Sequence, residues 1–343
     1  MFEDLADALN KLPNGFPRTP SGVEIRILKK LFSNEEAIIA SQLGRTRETA
    51  EAIASRTGLA VEDLKARLHT MAAKELIWEY EEADGSVYRL APFIVGIYEA
   101  SDMDHELAHL VEAYLSNGGA EGIMRPQPAL HRVVPAQNAL KSEAILPYDD
   151  VKALLLKSKS FALRNCICRE QQKEMGHGCR FPMRTCLSFS ENESPPHKSS
   201  LSKDEALAFL DESEELGLVH TVRNVMKGIG YVCNCCGCCC GIIRGINDWG
   251  IENSVARSNY LARIDPGECS GCGVCVDRCQ VHAIREENGI SVVDRSKCIG
   301  CGLCVTGCPT GAAVIDRKPE EEIVTPPADF ETWEQQRLRN RTP

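Results

Sequence analysis

One cysteine pattern occurs twice near the C-terminus and constrains the fold of this chain more than any other feature. Each run has the spacing C-x2-C-x2-C-x3-C. The first consists of Cys269, Cys272, Cys275 and Cys279, and the second of Cys298, Cys301, Cys304 and Cys308. Three thiolates at this spacing can surround three corners of a cubane iron–sulfur cluster, with the fourth ligand coming from elsewhere. The repeat therefore predicts two clusters that form the core of this segment.

Glycines and a turn signal complete the pattern around the two runs. Small residues allow the backbone to turn closely around an inorganic core, and the runs contain Gly271, Gly273, Gly300 and Gly302. Between the runs, Asn288-Gly289 is typical of a type I′ hairpin turn between two short strands. Two further strands are predicted at LARID and AAVID, on either side of the repeat. The segment is thus predicted to be a small pseudo-symmetric βαββαβ unit.

This region closely resembles the bacterial ferredoxins that carry two [4Fe–4S] clusters. In that family the fourth cysteine of each run crosses to the other cluster. The resemblance implies Cys269, Cys272, Cys275 and Cys308 as ligands of the first cluster, and Cys298, Cys301, Cys304 and Cys279 as ligands of the second. The chain departs from the family at Gln280, where the first half usually has proline. Two complete runs favour clusters over zinc, and two adjacent redox centres favour electron relay over a scaffold.

Ten further cysteines lie in the central region, and their spacing fits no zinc finger. They are Cys166, Cys168, Cys179, Cys186, Cys233, Cys235, Cys236, Cys238, Cys239 and Cys240. Three interpretations stay open: a third iron–sulfur cluster ligated by some of both groups, a zinc site or reactive thiols, and buried structural cysteine. The third cluster is favoured because thiolates in a cytosolic protein select such metals. Nearby cations that would offset thiolate charge are Arg164, Arg169, Arg180 and Arg184.

Composition supports metal binding by these thiols. A chain of 343 residues does not need disulfides to compensate for a small core, so its 18 cysteines favour metal sites. The acidic N-terminus lacks a signal-peptide pattern, and no stretch approaches 18 consecutive apolar residues, which predicts a cytoplasmic protein. A net charge of -10 argues against broad nucleic-acid affinity. His177 and His220 lie near the central cysteines in sequence, and neither is predicted to be catalytic.

The N-terminal part predicts a winged helix between about Ser21 and Pro92. Thr46 or Thr49 is expected to start a helix that Gly58 interrupts, and Asp84-Gly85 marks a hairpin turn. Between them, one helical face carries Val61, Leu64, Leu68, Met71 and Ala72. The recognition helix would span about 60–74. Because the wing is acidic, a protein-interaction or homodimerisation role is favoured over DNA binding.

The chain is predicted to be a multidomain α+β protein. The winged helix with its N-terminal extension covers 1–100, and a helix from Val95 to Leu115 leads into a connecting segment within 101–147. A Cys-rich domain of helical and irregular structure covers 148–248, and Gly217 is expected to end a helix that spans 203–216. The dicluster domain covers 249–317. A polar tail at 318–343 is expected to be extended or disordered.

These features favour an iron–sulfur electron-transfer protein that is a subunit or partner of an anaerobic oxidoreductase. No nucleotide-binding or familiar hydrolytic motif is found, which favours an electron-transfer component over a stand-alone enzyme. Its partners would be redox proteins. One alternative is a redox-sensing winged-helix transcription regulator, and a second is an enzyme with its active site at the central cysteines. The iron content would distinguish two clusters from three, because two [4Fe–4S] clusters hold about eight iron atoms per chain and three hold about twelve.

Overall fold

A computed structural model describes residues 1–141 and 144–341. The predicted segments 101–147 and 318–343 therefore each include two residues that lie outside the described ranges. The chain divides into two compact units. The first unit comprises Met1–Pro126, Glu170–Gly178 and Arg337–Pro343, and the second comprises Gln127–Arg169 and Cys179–Gln336. Among the described residues, no helix is both long and apolar enough to cross a membrane.

The first unit is mainly helical and carries one small sheet. Its elements are α1 (Phe2–Asn10), α2 (Val23–Leu31), α3 (Asn34–Ser41), β1 (Glu48–Thr49), α4 (Ala50–Thr57), α5 (Val61–Ala73), β2 (Ile77–Glu82), β3 (Gly85–Leu90), α6 (Tyr98–Ala100), α7 (His105–Tyr114) and α8 (Ala120–Met124). The sheet has the order β1-β3-β2, and both pairings are antiparallel. Within this unit, α3 is followed by the short strand β1, then by the helices α4 and α5, and then by the hairpin of β2 and β3.

Local signals explain where these helices begin and end. The Thr49 side chain accepts a hydrogen bond from the Ala52 N–H at the start of α4, and Gly58 ends that helix at φ 72°. The predicted helix from Val95 to Leu115 is wrong in its extent. Val95 has the left-handed φ of 62°, and the longer helix of this segment, α7, begins only at His105. Asp104 caps α7 by accepting from the Leu107 N–H.

The second unit is built around a six-stranded antiparallel sheet. Its elements up to residue 247 are β4 (His131–Val134), α9 (Val151–Lys157), β5 (Ser160–Asn165), α10 (Ile167–Glu174, which continues into the first unit), β6 (Arg184–Ser190), β7 (Ser200–Leu201), α11 (Lys203–Leu216), β8 (Val219–Arg223), β9 (Tyr231–Cys235) and α12 (Gly241–Asn247). The strand order is β4-β8-β9-β6-β5-β7. The predicted helix over 203–216 is present, and Gly217 ends it at φ 85°.

The expectation that the central region is helical and irregular is wrong in one respect, because it leaves out the sheet. Strands β5, β6, β8 and β9 lie side by side there, and Leu187 of β6 faces Val232 of β9 with both side chains fully buried. Burial alternates along β6, as expected for a strand with one face in the core. Cys186 lies in β6, and Cys233 and Cys235 lie in β9, so these cysteines are also part of the sheet.

The C-terminal elements follow the order β-α-β-β-α-β. They are β10 (Tyr260–Ile264), α13 (Val274–Arg278), β11 (Ile284–Glu287), β12 (Ile290–Val293), α14 (Leu303–Thr306) and β13 (Ala313–Arg317). Strand β10 pairs with β13, and β11 pairs with β12, both antiparallel. Asn288 and Gly289 have φ 52° and φ 80°, as a type I′ turn requires at both central positions.

The C-terminal tail contains a helix. Residues Phe330–Asn340 form α15, which corrects the expectation of an extended or disordered tail. Asp329 accepts from the Thr332 N–H at the start of this helix. Trp333 is buried within the second unit and donates from Nε1 to the Ala129 carbonyl. The polar composition hid a helical face on which the aromatic side chain is buried.

Candidate metal centres

Two cavities in the C-terminal segment collect the eight cysteines of the repeat. One is lined by Cys269, Cys272, Cys275 and Cys308. The other is lined by Cys279, Cys298, Cys301 and Cys304. Each cavity thus combines three thiols of one run with the fourth thiol of the other run. These are the two sets that the resemblance to two-cluster ferredoxins implies.

Backbone N–H groups point at the sulfur atoms around both cavities. Ala283 donates to the Cys279 sulfur at 3.1 Å, Ala313 to the Cys308 sulfur at 3.4 Å and Ser291 to the Cys269 sulfur at 3.5 Å. The Ser291 N–H is the main reason that the pKa of Cys269 lies below its ordinary value. Such donors stabilise ligating thiolates and tune the potential of a cluster. The thiols and their surroundings therefore fit [4Fe–4S] clusters.

The central cysteines lie on several elements of the second unit. Cys166 and Cys168 lie at the junction of β5 and α10, Cys179 in the loop before β6, and Cys186 within β6. The remaining six occupy the end of β9 and the turn that follows it, where Cys240 is the residue before α12. All 18 cysteines are free thiols, and each lies within the described ranges.

Four of these ten thiols form a compact group, which we call the quartet: Cys179, Cys236, Cys238 and Cys239. Their four sulfur atoms all lie within 4.8 Å of one another. The Cys179 sulfur is 3.9 Å from that of Cys236 and 3.7 Å from that of Cys238, which is 3.6 Å from that of Cys239. Leu218 and Phe181 pack against the group, and Cys238 is exposed at its rim. The quartet could hold a metal ion.

Arg169 brings positive charge to the quartet. Its side chain is 1% exposed and donates to the carbonyls of Pro182 and Asn234, at 3.1 and 3.0 Å. The same guanidinium hydrogen-bonds the Cys236 thiol. A hydrogen bond from Cys239 and the charge of Arg169 hold the pKa of Cys236 well below its ordinary value, at about 4. One thiolate is thus favoured here even before a metal binds.

The other six central thiols are not members of the quartet. The Cys168 thiol is in hydrogen-bond contact with those of Cys166 and Cys240, and Cys240 also contacts Cys235. Cys186 and Cys233 face each other directly across β6 and β9, and their thiols are in contact. Each of these two sets therefore combines cysteines from the segment 166–186 with cysteines from the segment 233–240.

His177 and His220, which lie near the central cysteines in the sequence, form hydrogen bonds with side chains other than those cysteines. His177 belongs to the first unit, where its Nδ1 lies 2.9 Å from the Gln172 side-chain oxygen. His220 is 1% exposed in β8, with Nδ1 2.6 Å from the Asn234 side-chain oxygen and Nε2 3.3 Å from a Glu214 carboxylate oxygen. His220 is thus a buried residue of the sheet, held by side chains that are not part of the quartet.

Gln280 connects the quartet to the C-terminal segment, a role that the sequence did not predict. Its side-chain oxygen accepts from the Gly237 N–H at 2.7 Å, and its side-chain nitrogen donates to the Gly217 carbonyl at 2.9 Å. Gly237 lies between Cys236 and Cys238, and a Cβ there would be 2.3 Å from the Gln280 carbonyl oxygen. The available signal was the absence of the usual proline after Cys279.

Arg278 fastens the same segment to the end of α11. It donates to the Glu214 and Glu215 carbonyls, both at 2.7 Å, and to the Leu303 carbonyl at 2.8 Å. Residues on either side of Cys279 therefore hold the C-terminal segment against the central sheet region, within the second unit.

Comparison with known protein families identifies one segment. Residues 261–322 match the family model of the 4Fe-4S dicluster domain, which confirms the predicted resemblance for the C-terminal region. A search of curated proteins returned no match. The dicluster domain indicates an iron–sulfur electron-transfer role, and the quartet could hold a further metal ion.

Proposed function

We propose that this protein transfers electrons through two [4Fe–4S] clusters with crossed ligation, as a cytoplasmic subunit or partner of an anaerobic oxidoreductase. The observation that carries the proposal is the pair of cavities, each lined by three thiols of one run and one of the other. When bound, such clusters accept and release single electrons. The cysteines hold them, and the N–H groups of Ala283, Ala313 and Ser291 stabilise the thiolate charge.

Double variants test the crossed ligation by iron content. Cys279→Ala should remove the iron of one cluster, about four atoms per chain. Adding Cys301→Ala should remove no more, because both cysteines serve the same cluster. Adding Cys272→Ala instead should remove the iron of the second cluster as well. The opposite pattern in anaerobically purified protein would show that each run holds its own cluster.

We assign a third cluster to four of the remaining central thiols: Cys166, Cys168, Cys235 and Cys240. The origin of these thiols in both sequence groups supports the assignment. Among the described residues, no three of their sulfur atoms lie within 4.8 Å of one another, in contrast to the quartet. The contacts between Gln280 and Gly237 then place the dicluster domain next to the turn that carries two of the ligands. Cys168→Ala should lower iron from about twelve to about eight atoms per chain. Unchanged iron in that variant would refute the assignment.

The N-terminal region is proposed to be a winged helix that binds protein partners or a second copy of the chain. A helix, a short strand, two helices and a hairpin with strand order β1-β3-β2 support this fold. The cations of the predicted recognition helix, 60–74, already have acidic neighbours: Lys65 lies 3.0 Å from Glu51, and Lys74 lies 2.7 Å from Glu36. A phosphate backbone would meet those carboxylates.

A redox-sensing transcription regulator is the second candidate, because the same N-terminal topology can present a helix to DNA. Gel-shift titrations at low and moderate salt, with oxidised and reduced protein, distinguish the two. We expect weak binding that disappears at moderate salt. Sequence-selective binding that changes with cluster oxidation would overturn the electron-transfer proposal in favour of the regulator.

A further inference from the structure

We infer that Cys179, Cys236, Cys238 and Cys239 bind one tetrahedral Zn²⁺ ion, and that this site is separate from the iron–sulfur clusters. A zinc–thiolate bond of about 2.3 Å places the four sulfur atoms of a tetrahedron about 3.8 Å apart. Three of the six sulfur–sulfur distances at the quartet are 3.6, 3.7 and 3.9 Å, and the other three are within 4.8 Å. The thiols already have the spacing that a single ion requires.

The cysteines of the dicluster domain provide an internal comparison. A [4Fe–4S] cluster places its own iron and sulfide atoms between the thiolates, which must then lie farther apart than ligands of one ion. Among the described residues, which include all eight of these cysteines, no three of their sulfur atoms lie within 4.8 Å of one another, whereas the four quartet sulfur atoms do. The same chain therefore shows two different thiol spacings, and the quartet has the narrower one.

The surroundings of the quartet suit a closed structural zinc site. Four thiolates around Zn²⁺ leave two negative charges, and the buried guanidinium of Arg169 offsets one of them. Four protein ligands leave no position for substrate, which is the arrangement of structural rather than catalytic zinc. Zinc has no redox chemistry, so this site would not carry electrons.

The position of the site suggests what the ion does. It would join Cys179, in the loop before β6, to the turn that follows β9. That turn contains Gly237, whose N–H binds Gln280 of the dicluster domain. Cross-linking the turn would fix the surface to which the dicluster domain is fastened. The zinc inference does not depend on electron transfer, since the iron-content experiments above can fail while zinc is still bound.

Metal analysis and X-ray absorption on the anaerobically purified full-length chain test the inference. We expect one zinc per chain with four sulfur neighbours at about 2.3 Å and no second metal nearby. Cys238→Ser should lower the zinc content at least severalfold and leave the iron content unchanged. The matched control is Cys186→Ser, which removes a central cysteine outside the quartet and should retain the zinc.

Three results would overturn the inference. The first is wild-type protein that contains iron and sulfide beyond the other clusters and no zinc. The second is a zinc-edge spectrum with nitrogen or oxygen neighbours in place of sulfur. The third is a Cys238→Ser variant that is folded, as judged by retained iron in the dicluster domain, and still binds stoichiometric zinc with four sulfur neighbours.

Discussion

Replacing Gln280 by leucine should loosen the attachment of the dicluster domain to the central cysteine turn. The side chain of Gln280 is 8% exposed and makes two hydrogen bonds, one from the Gly237 N–H and one to the Gly217 carbonyl. Leucine has a similar volume but neither polar group. The variant therefore leaves a partly buried donor, the Gly237 N–H, and a buried acceptor, the Gly217 carbonyl, without their partner.

The magnitude follows from the two orphaned backbone groups. Each buried polar group left unsatisfied costs about 1–3 kcal/mol, so the contact should weaken by at least about 2 kcal/mol. A change of that size corresponds to about a 30-fold increase in the population of the open state. Hydrogen exchange at the Gly237 amide reports that population directly when closing is faster than exchange.

The assay is anaerobic hydrogen–deuterium exchange with mass spectrometry of peptides that span 231–240. We expect about 30-fold faster exchange of the Gly237 amide in Gln280→Leu. The control is Gln335→Leu, which makes the same substitution at an exposed position of α15 and should change stability by less than about 0.5 kcal/mol. Equal protection of the Gly237 amide in wild type and Gln280→Leu would refute the proposed attachment.

Three further substitutions test other parts of the structure. Burial lowers the pKa of His131 to about 4, so the unfolded chain binds the proton more tightly than the folded chain. The free energy of unfolding should therefore fall by about 2 kcal/mol between pH 7 and pH 5. Urea unfolding of His131→Gln should lack this part of the pH dependence. Arg337→Ala removes the donor to the carbonyls of Pro13, Pro126 and Ile123 and should cost about 3 kcal/mol or more in denaturant unfolding of the first unit. Ser202→Ala breaks the capping box of α11 and should cost about 1 kcal/mol, measured in the same way for the second unit.

The dicluster domain could be predicted from sequence because an inorganic core imposes its ligand spacing on the chain. The two runs, Asn288 and Gly289 are local signals, and each acts within a few residues. The helix ends at Gly58 and Gly217 were predictable for the same reason, since a left-handed residue after a helix favours glycine.

The central region could not be predicted in the same way, because its structure depends on contacts between distant residues. Cys179 and Cys236 meet only because the six-stranded sheet brings β6 and β9 together. Strand β6 does show local alternation, since Leu187 and Phe189 alternate with Ser188 and Ser190, but its partner strands lie far away in the sequence. The sequence did not predict helix α15 for a related reason. Its buried face carries the charged residues Glu334 and Arg337 beside Trp333, so it lacks an apolar pattern.

Gln280 shows how a departure from a family pattern can acquire a function. In an isolated two-cluster ferredoxin, the residue after the fourth cysteine of a run shapes the backbone, and proline suits that purpose. Here the same position must also bind another part of the chain, and proline has no side-chain donor or acceptor for Gly237 and Gly217. The amide of Gln280 satisfies both groups, while Arg278 binds the end of α11 from the other side of Cys279. A dicluster domain that only carried electrons to a diffusing partner would not need these contacts. Their presence next to a cluster ligand therefore indicates a dicluster domain that is fixed to the central cysteine region within the second unit.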